Sequence, residues 1–181
     1  MKKLIYILPL ILFAVLIGFF IIGLERDPRL IPSPFIGKSA PEFSLPRLLN
    51  ADQLITQAEL KGEVMLVNFW ATWCPTCKGE HDVLMEVARS NKELAIYGID
   101  YKDKKEDALS WLKQLGNPYR AVAFDQEGVT GIDWGVYGTP ETFILDEQGI
   151  IHYKHVGAIS WQDWKQILEP IVLELQSGLQ Q

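Results

Sequence analysis

Val64-Met65-Leu66-Val67-Asn68-Phe69-Trp70-Ala71-Thr72-Trp73-Cys74-Pro75-Thr76-Cys77 is the stretch that decides the fold. Residues 64–70 form a nearly continuous apolar run bounded by Gly62 and the cysteine motif, which is how a strand buried on both faces reads. From residue 75 to about 89 the apolar positions Val83, Leu84, Val87 and Ala88 fall at helical spacing. A central strand therefore runs straight into a helix, and C-x-x-C sits at the junction.

Those are the only two cysteines in the chain. A helix N-terminus presents unpaired N–H groups and a partial positive charge, so Cys74 can hold a thiolate below the free-thiol pKa of ~8.5. Cys77 lies one turn on and can close a disulfide back onto Cys74. Pro75 suits the first helical position, where a missing N–H costs nothing. Such a pair exchanges disulfides: Cys74 attacks a partner disulfide, and Cys77 then attacks the mixed disulfide and releases the reduced partner.

Plainer readings fit less well. A structural bridge across so short a loop restrains the unfolded chain little. A zinc site built from Cys74, Cys77 and His81 lacks a fourth ligand, so no metal is expected and His81 reads as a helix-surface residue. Haem attachment requires histidine directly after the second cysteine, where Lys78 stands. No cofactor is expected. Trp73 adjoins the attacking sulfur, read as exposed, and forms an aromatic shelf for a docking partner.

Working outward, residues 94–100 are a second short apolar run. Asp103 with Glu106 forms a capping-box pattern for a helix through Leu115, which Gly116-Asn117-Pro118 stops. Residues 121–124 read as a strand, whereas 128–134 are too interrupted by glycine to assign. Residues 142–145 and 150–155 flank Asp146-Glu147-Gln148-Gly149, a hairpin signature. Ser160 with Asp163 opens a last helix, in which Pro170 is a kink or break. Upstream, prolines confine residues 37–46 to an edge strand, and 57–60 suit a short helix. This order predicts an α/β, three-layer domain: a central mixed sheet with helices on both faces.

Residues 4–24 carry no charge and match the roughly 20 residues of a membrane span. A cleaved signal peptide competes, but the run exceeds an ordinary h-region and Glu25-Arg26-Asp27-Pro28 offers no small-x-small site. The expectation is an uncleaved anchor over 1–24, an extended proline-rich linker over 25–36 and one domain over 37–181. Lys2 and Lys3 keep the N-terminus cytoplasmic, so the domain is exported. Beyond residue 24 there are 15 basic and 23 acidic side chains, a net charge of −8. Nucleic acid is an unsuitable partner for such a surface.

The motif Phe69-Trp70-Ala71-Thr72-Trp73-Cys74-Pro75-Thr76-Cys77, with Gly138-Thr139-Pro140 downstream, resembles the thioredoxin superfamily. The resemblance implies a cis bond before Pro140, facing the dithiol, with the backbone of Thr139 free to pair with a substrate strand. Glu80-His81, Tyr101-Lys102-Asp103, Gly116-Asn117-Pro118-Tyr119 and Gly135-Val136-Tyr137-Gly138-Thr139-Pro140-Glu141-Thr142-Phe143 narrow it further. From about residue 37 to 164 the chain is similar to the cytochrome c biogenesis thiol-disulfide proteins of the CcmG/DsbE family. That similarity implies a periplasmic reductant on the bacterial inner membrane. Its substrate would be apocytochrome c or a CcmH-type protein, and its electron donor a membrane disulfide reductase of the DsbD or CcdA type.

Thioredoxins carry a buried aspartate where this chain has Asn68, which cannot take a proton. Glu80, one turn beyond Cys77, is the candidate for that task. The resemblance makes Glu141 an acidic contributor to the substrate groove and Tyr137 a lining residue, while Asp100 adds to the acidic surroundings. The alternatives are a broad-specificity exported reductase and a non-catalytic binding module or haem chaperone. Peroxide reduction ranks lower, since it needs no C-x-x-C partner.

Overall fold

The computed structural model describes residues 33–178, together with residues 4–24, where side chains are described at 9 and 11–21. The chain divides into two units between Pro32 and Ser33. The first contains helix α1, Leu4–Leu24, with Pro9 inside it. Among the described residues no helix is long and apolar enough to cross a membrane. Lys2, Lys3 and residues 25–32 of the expected linker lie outside the described residues. Residues 33–36 belong to the second unit, where Phe35 packs against the core.

The second unit is an α/β domain on a mixed five-stranded sheet of order β5-β4-β3-β6-β7. Strand β3, Met65–Trp70, is central and buried along its whole length. It runs parallel to β4, Ala95–Tyr101, and antiparallel to β6, Glu141–Leu145. Strand β5, Ala121–Asp125, extends the parallel side, and β7, Ile151–Val156, the antiparallel side. A separate hairpin pairs β1, Ser44–Pro46, with β2, Leu54–Thr56, and leads into a 3-10 turn at Gln57–Glu59. Alternation along β3 sends Leu66 and Trp70 into one core and Met65, Val67 and Phe69 into the other.

The two faces are covered unequally, which refines the expected sandwich of helices. Helix α2, Pro75–Ser90, helix α3, Lys105–Leu115, and the C-terminal helical segment share the first core through Leu84, Val87, Ala108, Leu112, Trp164 and Leu168. The second core lies under the β1–β2 hairpin and Trp134, which ends the five-residue helix α4, Val129–Asp133.

Residues 128–134 are helical despite their glycines. Gly128 enters at φ 73°, and a Cβ on Gly131 would fall 2.4 Å from the Tyr101 ring, so glycine here permits close approach. Gly128 is the N-cap without a side-chain cap bond, and Asp125, at the end of β5, accepts from the Gly131 N–H at 2.9 Å. The capping box expected for α3 is absent: its N-cap is Lys104, with no side-chain cap bond. Asp103 instead accepts from the backbone N–H and hydroxyl of Thr72, in the loop before Cys74. Ser160 and Asp163 do form the expected capping box at α5, Trp161–Asp163. A wider turn over Trp164–Leu168 follows, and Pro170 sits in the first turn of α6, Glu169–Gln176. The proline falls where the helix changes pitch and does not end it.

Beside the first core Gly98 permits a close approach, since a Cβ there would lie 2.9 Å from Trp70 Nε1 and 3.0 Å from the Tyr119 ring. Those two rings are stacked with centroids 5.6 Å apart. Gly98→Ala is expected to destabilise the domain by ~1–3 kcal/mol through overpacking. Urea denaturation monitored by tryptophan fluorescence measures it, and an unchanged midpoint would show that the stack yields freely.

Candidate active site

The β3-to-α2 junction places Cys74 at the N-cap and Pro75 in the first turn of α2. Cys74 and Cys77 form a disulfide with their Cα atoms 5.3 Å apart. Neither is open: Cys74 is 3% and Cys77 2% exposed, so the attacking sulfur is less accessible than the sequence led one to expect. The Cys77 N–H points at Cys74 Sγ from 3.0 Å, which is where it would stabilise a thiolate after reduction. The carbonyl oxygen of Thr139 lies 3.3 Å from the same sulfur, and the Thr139–Pro140 bond is cis. Sequence elements 65 residues apart thus meet at one atom.

Beneath the dithiol helix lies a closed polar network. Asn68 Nδ2 donates to Glu80 Oε1 at 2.9 Å and to Thr142 Oγ1 at 3.0 Å, and Tyr119 donates to Asn68 Oδ1 at 2.8 Å. Ile159 N–H donates to the other oxygen of Glu80 at 2.9 Å. Glu80 is 1% exposed, and burial pushes its carboxyl from 4.5 up to about 7, against the two donors. Asn68 therefore carries no proton itself but orients a carboxyl that does.

On the adjoining strand Asp100 is fully buried, and burial, then the charge of Asp103, raise it from 3.8 to about 9. It is a neutral acid at physiological pH. His81 is not on the surface: it is 3% exposed, with Nε2 3.1 Å from the Gly116 carbonyl and its ring edge-on to Trp111.

Trp73 and Tyr137 are the exposed aromatics beside the cysteines, at 54% and 62%. Trp73 is nonetheless fixed, its Nε1 donating to the Lys102 carbonyl at 3.0 Å. Glu141 departs from expectation. It is buried, so it offers no acidic rim to a partner. Its Oε1 accepts from the Tyr137 N–H at 3.1 Å and its Oε2 pairs with Lys154 at 2.9 Å. Burial still raises its carboxyl despite that lysine.

Sequence reasoning missed Tyr119, Thr142, Asp103 and Lys154. Tyr119, Thr142 and Asp103 lay inside the stretches that carry the family resemblance but drew no role at the site there, and Lys154 signalled itself only as a charge inside an otherwise half-apolar strand.

This arrangement performs dithiol–disulfide exchange: a helix-capped sulfur, a resolving thiol one turn away, and a buried carboxyl near neutrality beyond it. The Redoxin family model matches residues 35–168. The thiol:disulfide interchange protein DsbE of Allochromatium vinosum is 46% identical over 172 residues, covering 95% of this chain and 94% of the relative. The chain belongs to the Redoxin family, among its DsbE thiol:disulfide interchange proteins.

The DsbE of Escherichia coli is 41% identical over 178 residues, covering 94% of this chain and 95% of its own. Among solved structures, one described as a DsbE from Chlorobium tepidum shares 29% identity at TM-score 0.65, over 78% of this chain and 97% of its own. The mixed sheet and its helices are thus the thioredoxin-like fold of this Redoxin family. The protein is a thiol–disulfide oxidoreductase working through Cys74 and Cys77.

Proposed function

We propose that the protein is a membrane-anchored reductant of the periplasm that acts on apocytochrome c or its haem-ligation partner during cytochrome c maturation. The observation that carries the direction is Glu80, a fully buried carboxyl one helical turn beyond Cys77. A carboxylate there opposes a thiolate above it, which destabilises the dithiol relative to the disulfide and favours giving electrons away. Cys74 thiolate attacks one sulfur of the partner disulfide, whose other sulfur leaves as thiolate. Cys77 then attacks Cys74 Sγ, the mixed disulfide breaks, and the partner departs reduced by two electrons.

The substrate rests on resemblance in the Trp73-to-Cys77 and 135–143 stretches, and the anchor on the uncharged run of residues 4–24. A membrane disulfide reductase of the DsbD or CcdA type would return the protein to its dithiol form. The test is to equilibrate the protein with glutathione and assay reduction of an oxidised peptide carrying C-x-x-C-H. A reducing potential with rapid peptide reduction is expected, whereas a potential near the ~−120 mV of a strong oxidant removes the reductant role. Resistance of the full chain to alkaline extraction from membranes checks the anchor.

A further inference from the structure

A lysine on a half-buried strand ordinarily runs its apolar stem along the surface and leaves its ammonium in water. Lys154, in β7, does the opposite: its side chain is 4% exposed. Its Nζ donates to the Gly135 carbonyl at 2.7 Å, lies 2.9 Å from Glu141 Oε2, and sits 3.8 Å from the centroid of the Tyr137 ring. An ammonium has three hydrogens and no other way to bond. All three directions are met, two by oxygen and one by an aromatic face.

The three partners belong to one short segment, 135–141, and to its two ends and middle. Its ends are held independently, by Gly135 N–H to the Ile132 carbonyl at 2.9 Å, Val136 N–H to the Gly131 carbonyl at 2.8 Å with Val136 in the second core, and Gly157 N–H to the Pro140 carbonyl at 3.0 Å, so it is the stretch from Tyr137 to Thr139 that has least besides Lys154 and Glu141 to define its shape. Tyr137 is exposed, and Gly135 and Gly138 add freedom. Yet the same segment carries the cis Thr139–Pro140 bond and sets the Thr139 carbonyl 3.3 Å from Cys74 Sγ. Glu141 also holds the Tyr137 N–H, so the loop closes on itself through a carboxyl that Lys154 pairs at 2.9 Å.

We infer that Lys154 is a positioning residue for recognition of polypeptide disulfides, fixing the 135–141 loop so that Tyr137 and the Thr139 backbone meet an extended strand of the partner beside Cys74. It touches neither sulfur nor substrate. A small disulfide makes no strand pairing with Thr139 and depends on this loop much less, whereas a polypeptide disulfide aligns on it before Cys74 attacks.

The test compares two oxidants on the reduced full chain: glutathione disulfide, and a peptide whose own C-x-x-C is oxidised. Lys154→Met keeps the stem and removes the ammonium. The rate constant with the peptide is expected to fall about tenfold, mainly through a raised KM, and the ratio of peptide to glutathione rates to drop at least ~fivefold. A purely structural lysine would lower both rates together or neither, and an unchanged ratio overturns the inference. Lys154→Met leaves Glu141 buried without its cation, so the double variant with Glu141→Gln, which leaves no unpaired charge, is read on the same ratio. The ratio must fall there too.

Discussion

Serine at position 77 is expected to turn the catalyst into a trap. Cys74 keeps its helix-capping position and attacks a partner disulfide as before, but nothing within the chain can then resolve the adduct. In the native protein that resolution is intramolecular, since the two sulfurs are already within bonding distance. Such attack proceeds at effective molarities far above the ~1 mM of an added thiol, so turnover should fall by at least on the order of 10³-fold. A mixed disulfide should accumulate, visible as a reducible mass increase on non-reducing gels, and Cys74→Ser should form none. A Cys77→Ser protein that retains full activity and captures nothing would point to a binding module whose disulfide is merely structural.

The second large effect belongs to Glu80. Resolution requires the Cys77 thiol to lose its proton, and a carboxyl held at about 7 is half ionised where the protein works. Glu80→Gln should slow release of the reduced partner by ~10²-fold at pH 7, with the loss shrinking as pH rises and Cys77 ionises unaided. A uniform loss across pH would instead indicate damage to packing.

The same shift makes a statement about stability. Folding raises this carboxyl from 4.5 to about 7, so the folded protein binds the proton more tightly than the unfolded chain. Its contribution is complete below pH 4.5 and is lost as pH rises through about 7, a fall of about 3 kcal/mol. Asp100, raised from 3.8 to about 9, adds a decline of the same sign over a wider window in wild type and variant alike. The difference between the two unfolding curves between pH 5 and 8 therefore isolates Glu80. Glutamine loses one of the two accepting oxygens that meet Asn68 and Ile159, so the slopes rather than the absolute stabilities carry the comparison.

The middle of the sheet was largely legible because β3, β4 and β6 are buried along their whole length, and such strands appear as short apolar runs bounded by turn residues. Helix α4 was not, because its glycines serve close packing against Tyr101, and a glycine placed for contact looks in sequence like one placed to break a helix. Asp103 looked like a cap because it precedes a helix by the usual spacing. Which donors it meets depends on Thr72, brought there by the fold. Glu80 was readable from its position one turn past Cys77. Glu141 was found but misplaced, since nothing in β6 announced that it would be buried and paired with Lys154 of β7. Sequence spacing locates side chains along an element; it does not say which way a charge on a neighbouring strand will turn.

Tyr119 and Asp103 both come from the excursion between β4 and β5, and between them they bond the strand and the loop that lead into the cysteines. Transplanting Trp73-Cys74-Pro75-Thr76-Cys77 alone onto another scaffold would leave both behind. An engineer who wanted this redox behaviour elsewhere would have to move residues 102–120 together with the motif as a single cassette.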